Sequence, residues 1–178
     1  VEHTDEPDDD TLVARARGGD QDAFRALVER HEGRLHGCAR TILGDPREAE
    51  DVAQEAFLRA HRALDRFDGR AACGTWLHRV CVNASLDALR RRRERRFSPP
   101  PQPMEPAGTD ALELRRRLAL CLERLPPSLR VAVALVLVAG FSHAEAGEVL
   151  GVAEGTIAWR VHEARRRLRG LLSAGEGR

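Results

Sequence analysis

Cys73, His78 and Cys81 are the closest this chain comes to a metal-ligating set, with the last two one helical turn apart. Structural zinc takes four protein ligands and no fourth donor stands beside them, so neither a metal nor another cofactor is expected. Together with Cys38 and Cys121, these cysteines lack paired CxxC spacing and read as small buried hydrophobes. There is no Ser/His/Asp arrangement and no phosphate-cradling glycine loop, so the chain is not expected to be an enzyme. What remains is the chemistry of the guanidinium group. All 29 basic positions are Arg and none is Lys, which leaves every cation able to make fork-shaped contacts to phosphate. The balance of 29 basic against 28 acidic residues conceals strong polarity. Val1–Asp10 holds six acids and no Arg, whereas Arg90–Arg96 holds six arginines in seven positions. A basic block of that kind is an electrostatic footprint for nucleic acid.

Hydrophobic residues make up 42% of the 178, aromatics only 4%, and Tyr is absent. Aliphatic, Ala-rich cores suit helices better than strands, so the expected fold class is all-α. No basic and apolar leader opens the sequence, and the longest apolar run, Val131–Ala139, falls far short of the ~20 residues a membrane helix needs. A cytoplasmic protein without membrane insertion is expected.

Phe97–Thr109 (FSPPPQPMEPAGT) holds five of the nine prolines and cannot continue a helix. It divides the chain into a first helical part, 11–96, a linker, 97–109, and a second helical part, 110–173, with the two parts expected to move independently. In the first part Phe24, Leu27, Val28, Leu35 and Ile42 mark a long helix ending near Gly44. Asp45, Pro46 and Glu48 then supply an N-cap, a first-turn proline and a capping-box partner. The next helix buries Ala49, Val52, Ala53, Ala56 and Ala60, leaving Asp51, Gln54, Glu55 and Leu58 as an acidic, amide-bearing outer face. A third helix is expected from about Thr75 to Arg96. Trp76 sits at its start, with Arg79 and Asn83 on the following turns. An aromatic there can stack on a base freed from a duplex and an amide can read its edge. Equally, Trp76 can be the core's largest member.

In the second part, Asp110–Arg124 is one helix, stopped by Pro126-Pro127, and Ser128–Ala139 is the next, apolar nearly all round. Ser142 and Glu145 then make a capping box, and Gly151 ends the short helix that follows. GVAEGTIAWRVHEARRRLRGLL begins there. At helical spacing Ile157, Val161, Ala164 and Leu168 share one face, and Trp159, His162 and Arg166 the other. Two helices joined by a tight Gly-containing turn make a helix-turn-helix, whose second helix enters the DNA major groove. Arg160, Arg165, Arg166, Arg167 and Arg169 supply cations for phosphate along it.

EAEDVAQEAFLRAHRALDRFDG, TWLHRVCVNASLDALRRRR and the run from Leu122 to Leu172 together resemble the bacterial sigma factors of the extracytoplasmic-function (ECF) group, in the family's order over nearly all of Asp20–Leu172. The resemblance implies an initiation subunit without chemistry of its own, built of two helical domains. The first, region 2, binds the core RNA polymerase clamp and opens the promoter −10 element. The second, region 4, reads the −35 element and meets the polymerase flap. It implies that Asp51, Gln54, Glu55 and Leu58 meet the clamp, and that Trp76, Arg79, Asn83, Arg90, Arg91 and Arg92 meet the −10 DNA. Gly155, Thr156, Trp159, Arg160, His162 and Arg166 would meet the −35 DNA. A cognate anti-sigma factor, wrapping or wedging between the two domains, is a further implied partner beside polymerase core and promoter DNA.

Two places depart from the pattern. Cys73 stands where the family usually has Phe ahead of TWL, and Ala158-Trp159 replaces the common Lys-Ser pair after GT. Gly147 stands inside a helix, which loosens it by ~1 kcal/mol relative to Ala. Trp159, whose indole offers one donor and a broad apolar plate, suits thymine methyls or a protein surface. A stand-alone DNA-binding regulator using only the helix-turn-helix is the competing reading; it has no need of the Asp51 face.

Overall fold

The computed structural model describes residues 7–94 and 110–174, and all regular structure among them is helical. The first three helices each begin on an aspartate. Asp8 accepts from the Thr11 amide and opens α1 (Asp9–Arg17). Asp20 accepts from the Asp22 and Ala23 amides and opens α2 (Gln21–Leu43). Asp45 accepts from the Arg47 and Glu48 amides and opens α3 (Pro46–Ala63), with Pro46 in the first turn. A side-chain acceptor satisfies amides that have no partner within the helix and suits the positive end of its dipole. Between α2 and α3 the chain turns at Gly44, whose φ of 81° favours a residue without Cβ. The expected capping box at Glu48 is only half made: its amide binds Asp45, but its carboxylate lies toward Arg92 of α4, 3.9 Å away.

A short 3₁₀ turn at Leu64–Arg66 leads to α4 (Cys73–Glu94), which starts two residues earlier than expected. Arg95, Arg96, the linker 97–109 and the acids of 1–6 lie outside the described residues. Leu12, Leu27, Leu35, Ala56, Leu64 and Leu77 are among the buried side chains that pack α1–α4 into one aliphatic core. Phe24 and Val28 of the expected apolar positions, with Val80 and Leu89 of α4, sit at its margin, half-buried.

The second part runs α5 (Asp110–Glu123), α6 (Pro127–Val133), α7 (His143–Leu150) and α8 (Glu154–Ala174). The expected continuous helix to Ala139 is not formed. From Ala134 to Val138 the coil widens to a π turn, with the Ala139 amide donating to the Ala134 carbonyl. The segment is apolar all round, so no polar face fixes its register, and widening lets Leu135 stay buried while Leu137 and Val138 turn outward.

The two parts pack on each other. Cys38 and Ile42 of α2 and Val82 of α4 share a buried cluster with Val131, Leu135, Ala146 and Ile157 of the second part. A Cβ on Gly37 would lie 3.1 Å from the Val138 methyl, so its absence admits the π turn against α2. The Arg79 guanidinium donates to the Glu148 carbonyl at 2.7 Å, and the His78 ring meets Phe141 edge-on with centroids 4.7 Å apart.

Candidate nucleic-acid interface

The helix-turn-helix is α7 and α8. Its capping box is complete: the Ser142 hydroxyl accepts from the Glu145 amide and the Glu145 carboxylate accepts from the Ser142 amide. Gly151 closes α7 with φ 65°. Gly147 has a geometric reason that sequence reading missed: a Cβ there would lie 2.7 Å from the Val152 carbonyl, in backbone that cannot step aside cheaply. The turn between the helices is therefore tight because position 147 has no side chain. Ile157, Val161 and Ala164 are buried against α6 and α7 as expected, and Leu168 is half-buried.

Opposite that stripe the expected site residues divide. Gly155, Trp159, His162 and Arg166 are exposed, while Thr156 and Arg160 are half-buried. Trp159 is 62% exposed, a large apolar plate held in solvent by a well-packed helix. Arg166 is less free than the sequence suggests. Glu163 accepts two bonds from Arg166, at 2.8 and 2.7 Å, and one from Arg167 at 2.7 Å. These hydrogen bonds, Arg166 first, hold the Glu163 carboxyl at about 2. The i,i+3 and i,i+4 spacing of the three residues was visible; the buried setting of Glu163 that locks the pair was not.

On α4, Trp76 is half-buried and joins the first part's core, its ring tilted 31° on Phe67 with centroids 4.8 Å apart. Its other edge lines a groove of about 460 Å³ with Ala71, Arg70, Arg79 and Glu148. Packing and pocket are both realised at Trp76. Asn83, Arg90 and Arg91 are exposed; Arg90 pairs with Asp87 at 3.0 Å, and Arg92 reaches the Leu43 carbonyl at 3.3 Å. Arg90 and Arg92 also line a cleft of about 570 Å³ together with Arg93, Arg124 and Arg130. Arg130 was not singled out by sequence because it lies in an apolar helix. It is 8% exposed, and burial lowers its pKa.

On α3, Ala49, Val52, Ala53, Ala56 and Ala60 are buried, while Asp51, Gln54 and Leu58 are exposed and Glu55 is half-buried. Gln54 borders a groove between α2 and α3 with Glu32, His36 and Glu50, which adds α2 residues to a face read from α3 alone. Arg59 donates to Glu55 at 2.8 Å and holds its carboxyl below the usual range, so part of the face's charge is already answered within α3.

Cys73 does not join His78 and Cys81. Five residues along a helix put Cys73 and His78 about 140° apart around its axis. The His78 Nδ1–H donates to the Gly74 carbonyl at 2.7 Å, and the Cys81 thiol donates to the Leu35 carbonyl at 3.6 Å.

Four helices bearing a polar α3 face and a basic α4, followed by a helix-turn-helix, define the two-part architecture of sigma-70 class initiation factors. The family description "Sigma-70 region 2" matches residues 27–95, and "Sigma-70, region 4" matches residues 115–168. The chain is 40% identical over 172 residues to the ECF RNA polymerase sigma factor SigM of Mycobacterium tuberculosis, covering 94% of this chain and 86% of that one. It is 30% identical over 177 residues to the ECF sigma factor SigW of Bacillus subtilis, covering 88% and 92%. Among solved structures it is similar to CnrH in complex with the cytosolic domain of CnrY, at 34% identity and TM-score 0.73 over 92% of this chain and 96% of that one. It is also similar to RpoE of Bartonella quintana in complex with the anti-sigma factor NepR, at 26% identity and TM-score 0.72 over 84% and 96%. The chain belongs to the ECF family of RNA polymerase sigma factors. It is a promoter-specificity subunit without catalytic chemistry of its own. No helix among the described residues is long and apolar enough to cross a membrane.

Proposed function

We propose that three surfaces of this chain divide the work of initiation, in the cytoplasm. The α3 face of Asp51, Gln54, Glu55 and Leu58 docks on the polymerase clamp, and the second part meets the flap. Trp76, Arg79, Asn83, Arg90, Arg91 and Arg92 engage the −10 element. Gly155, Thr156, Trp159, Arg160, His162 and Arg166 engage the −35 element. The observation that carries the reading is Trp159, 62% exposed on the second helix of a tight helix-turn-helix with arginines along its flanks. An indole kept in solvent on that face is available to a partner outside the chain. To reach both elements at once, the two parts separate about the linker. A cognate anti-sigma factor is part of the proposal, since the similar RpoE was solved with one.

The test uses purified protein and core RNA polymerase, reading co-elution and promoter-dependent transcripts. The pair Asp51→Arg with Gln54→Ala is expected to abolish both and leave helicity unchanged, because both side chains point away from the α3 core stripe. Undiminished transcription by that variant removes the clamp assignment.

A further inference from the structure

Three helices that begin or pass at one spot bring together three donors of different chemistry. Asp9 is the first residue of α1, His31 lies within α2, and Cys73 is the first residue of α4. A carboxylate oxygen, an imidazole nitrogen and the thiol sulfur there all lie within 4.8 Å of one another. His31 and Cys73 are buried and Asp9 is half-buried. The His31 Nε2 and Asp9 Oδ2 are 2.7 Å apart, and the other Asp9 oxygen accepts from Arg30 at 2.8 Å. A Cβ on Gly74 would lie 3.1 Å from the His31 Cε1, so the residue beside Cys73 leaves the imidazole its place. The thiol is pushed up to about 12 by burial and by the nearby Asp9 and Asp10 carboxylates. The site therefore holds a buried thiol facing negative charge. Cys73 is also the position where the sequence departs from the family's usual Phe.

We propose that Asp9, His31 and Cys73 bind one zinc-type divalent cation, with a water in the fourth position. Sulfur, nitrogen and oxygen donors in one set suit a borderline-soft ion; the fourth protein ligand of a usual structural zinc site is lacking here, so water completes the tetrahedron. Binding replaces the Cys73 thiol proton, which leaves to solvent, with a metal–sulfur bond. It also exchanges the His31–Asp9 hydrogen bond for two metal–ligand bonds: the proton on Nε2 moves to Nδ1, and His31 coordinates through Nε2 as neutral imidazole. Donors bonded tetrahedrally at about 2.0–2.3 Å lie roughly 3.3–3.8 Å from one another, so the set, now within 4.8 Å, has to draw in by at most about 1.5 Å. Arg30 on the second Asp9 oxygen acts as the outer partner that orients the carboxylate. The consequence is mechanical: the ion ties α1 to both α2 and α4.

The experiment titrates the full chain, freed of metal by chelation, with Co(II) and then Zn(II). One equivalent of Co(II) is expected to give a thiolate-to-metal charge-transfer band, which Zn(II) displaces, with one proton released per ion bound. Cys73→Ala is expected to remove the band. Asp9→Asn, at a partly exposed position, is expected to weaken binding by at least the ~10–100-fold that loss of an outer-shell partner costs. Circular dichroism confirms that each variant is helical. The proposal is overturned if the folded chain takes up no ion with a thiolate band. It is equally overturned if the band survives Cys73→Ala and is lost on replacing Cys38, Cys81 or Cys121.

Discussion

Trp76 and Trp159 each stand near the start of a helix proposed to meet promoter DNA, yet the molecule treats them oppositely. Trp76 is tilted on Phe67 and packed against the aliphatic core of α1–α4, with only one edge toward a groove. Trp159 projects 62% into solvent from a helix whose other face is fully used by Ile157, Val161 and Ala164. In the first part an aromatic contributes to stability and to a surface at once, so the two contributions cannot be varied separately. In the second part they sit on different faces of one helix, and specificity can change while the fold stands.

The largest effect expected from this contrast is on Trp76. Trp76→Ala removes the Phe67 contact and opens a cavity at the core margin, which costs about 3 kcal/mol. A denaturant melt checks this, and a loss no larger than that of Trp159→Ala erases the contrast.

A smaller effect comes from acid. His78 lies one turn beyond Trp76 on α4 and touches Phe141 of the second part. Burial lowers its pKa to about 4. The unfolded chain therefore takes the proton first, near pH 6.5, so its contribution to stability is complete above that and falls as the pH drops toward 4. The slope approaches ~1.4 kcal/mol per pH unit between the two values, so by about pH 5 the loss is about 2 kcal/mol. Melts at stepped pH read it, and His78→Phe is expected to flatten that part of the profile.

Gly147→Ala probes the second part's rigidity. The gain in helix propensity of up to ~1 kcal/mol is outweighed by contact with the Val152 carbonyl, for a net cost of about 1–2 kcal/mol. An unchanged melting temperature indicates that the turn between α7 and α8 gives way easily. The smallest effect on stability belongs to Trp159→Ala, within ~0.5 kcal/mol. Its expected readout is instead a changed −35 preference in promoter binding, with core polymerase binding intact. Unaltered preference with weakened anti-sigma binding moves Trp159 to a protein interface.

Much of the frame was legible because it is written in neighbouring residues. Asp45-Pro46, the Ser142/Glu145 box, Gly151 and the Ile157-to-Leu168 stripe are local signals, and local hydrogen bonding and periodicity decide them. What was not legible depends on partners far along the chain. Cys38 and Ile42 have the spacing of an ordinary first-part core, yet they face Leu135 across the linker. Gly147 looks like a weak helix residue until the Val152 carbonyl is placed beside it. Cys73 was read toward His78 and Cys81 on its own helix, whereas its neighbours Asp9 and His31 come from two others. On α3 the outward positions followed from period alone, but the Arg59 bond that tempers Glu55 needed side-chain geometry.

The Glu163 pair on α8 changes how that helix competes for DNA. The sequence counts five arginines on it, Arg160, Arg165, Arg166, Arg167 and Arg169. Two of them share one built-in counterion, since Glu163 remains ionised down to about pH 2. Only a cation neutralising a phosphate displaces condensed sodium from the duplex, and each such contact adds ~0.9 to the slope of log affinity against log salt. Five free arginines would give α8 a slope of roughly 4.5; with the single charge of Glu163 set against two of them, an effective four give roughly 3.6. Glu163 thus trades raw affinity for tolerance of ionic strength, and the −35 binding proposed for this helix is expected to be less sensitive to salt than its sequence advertises.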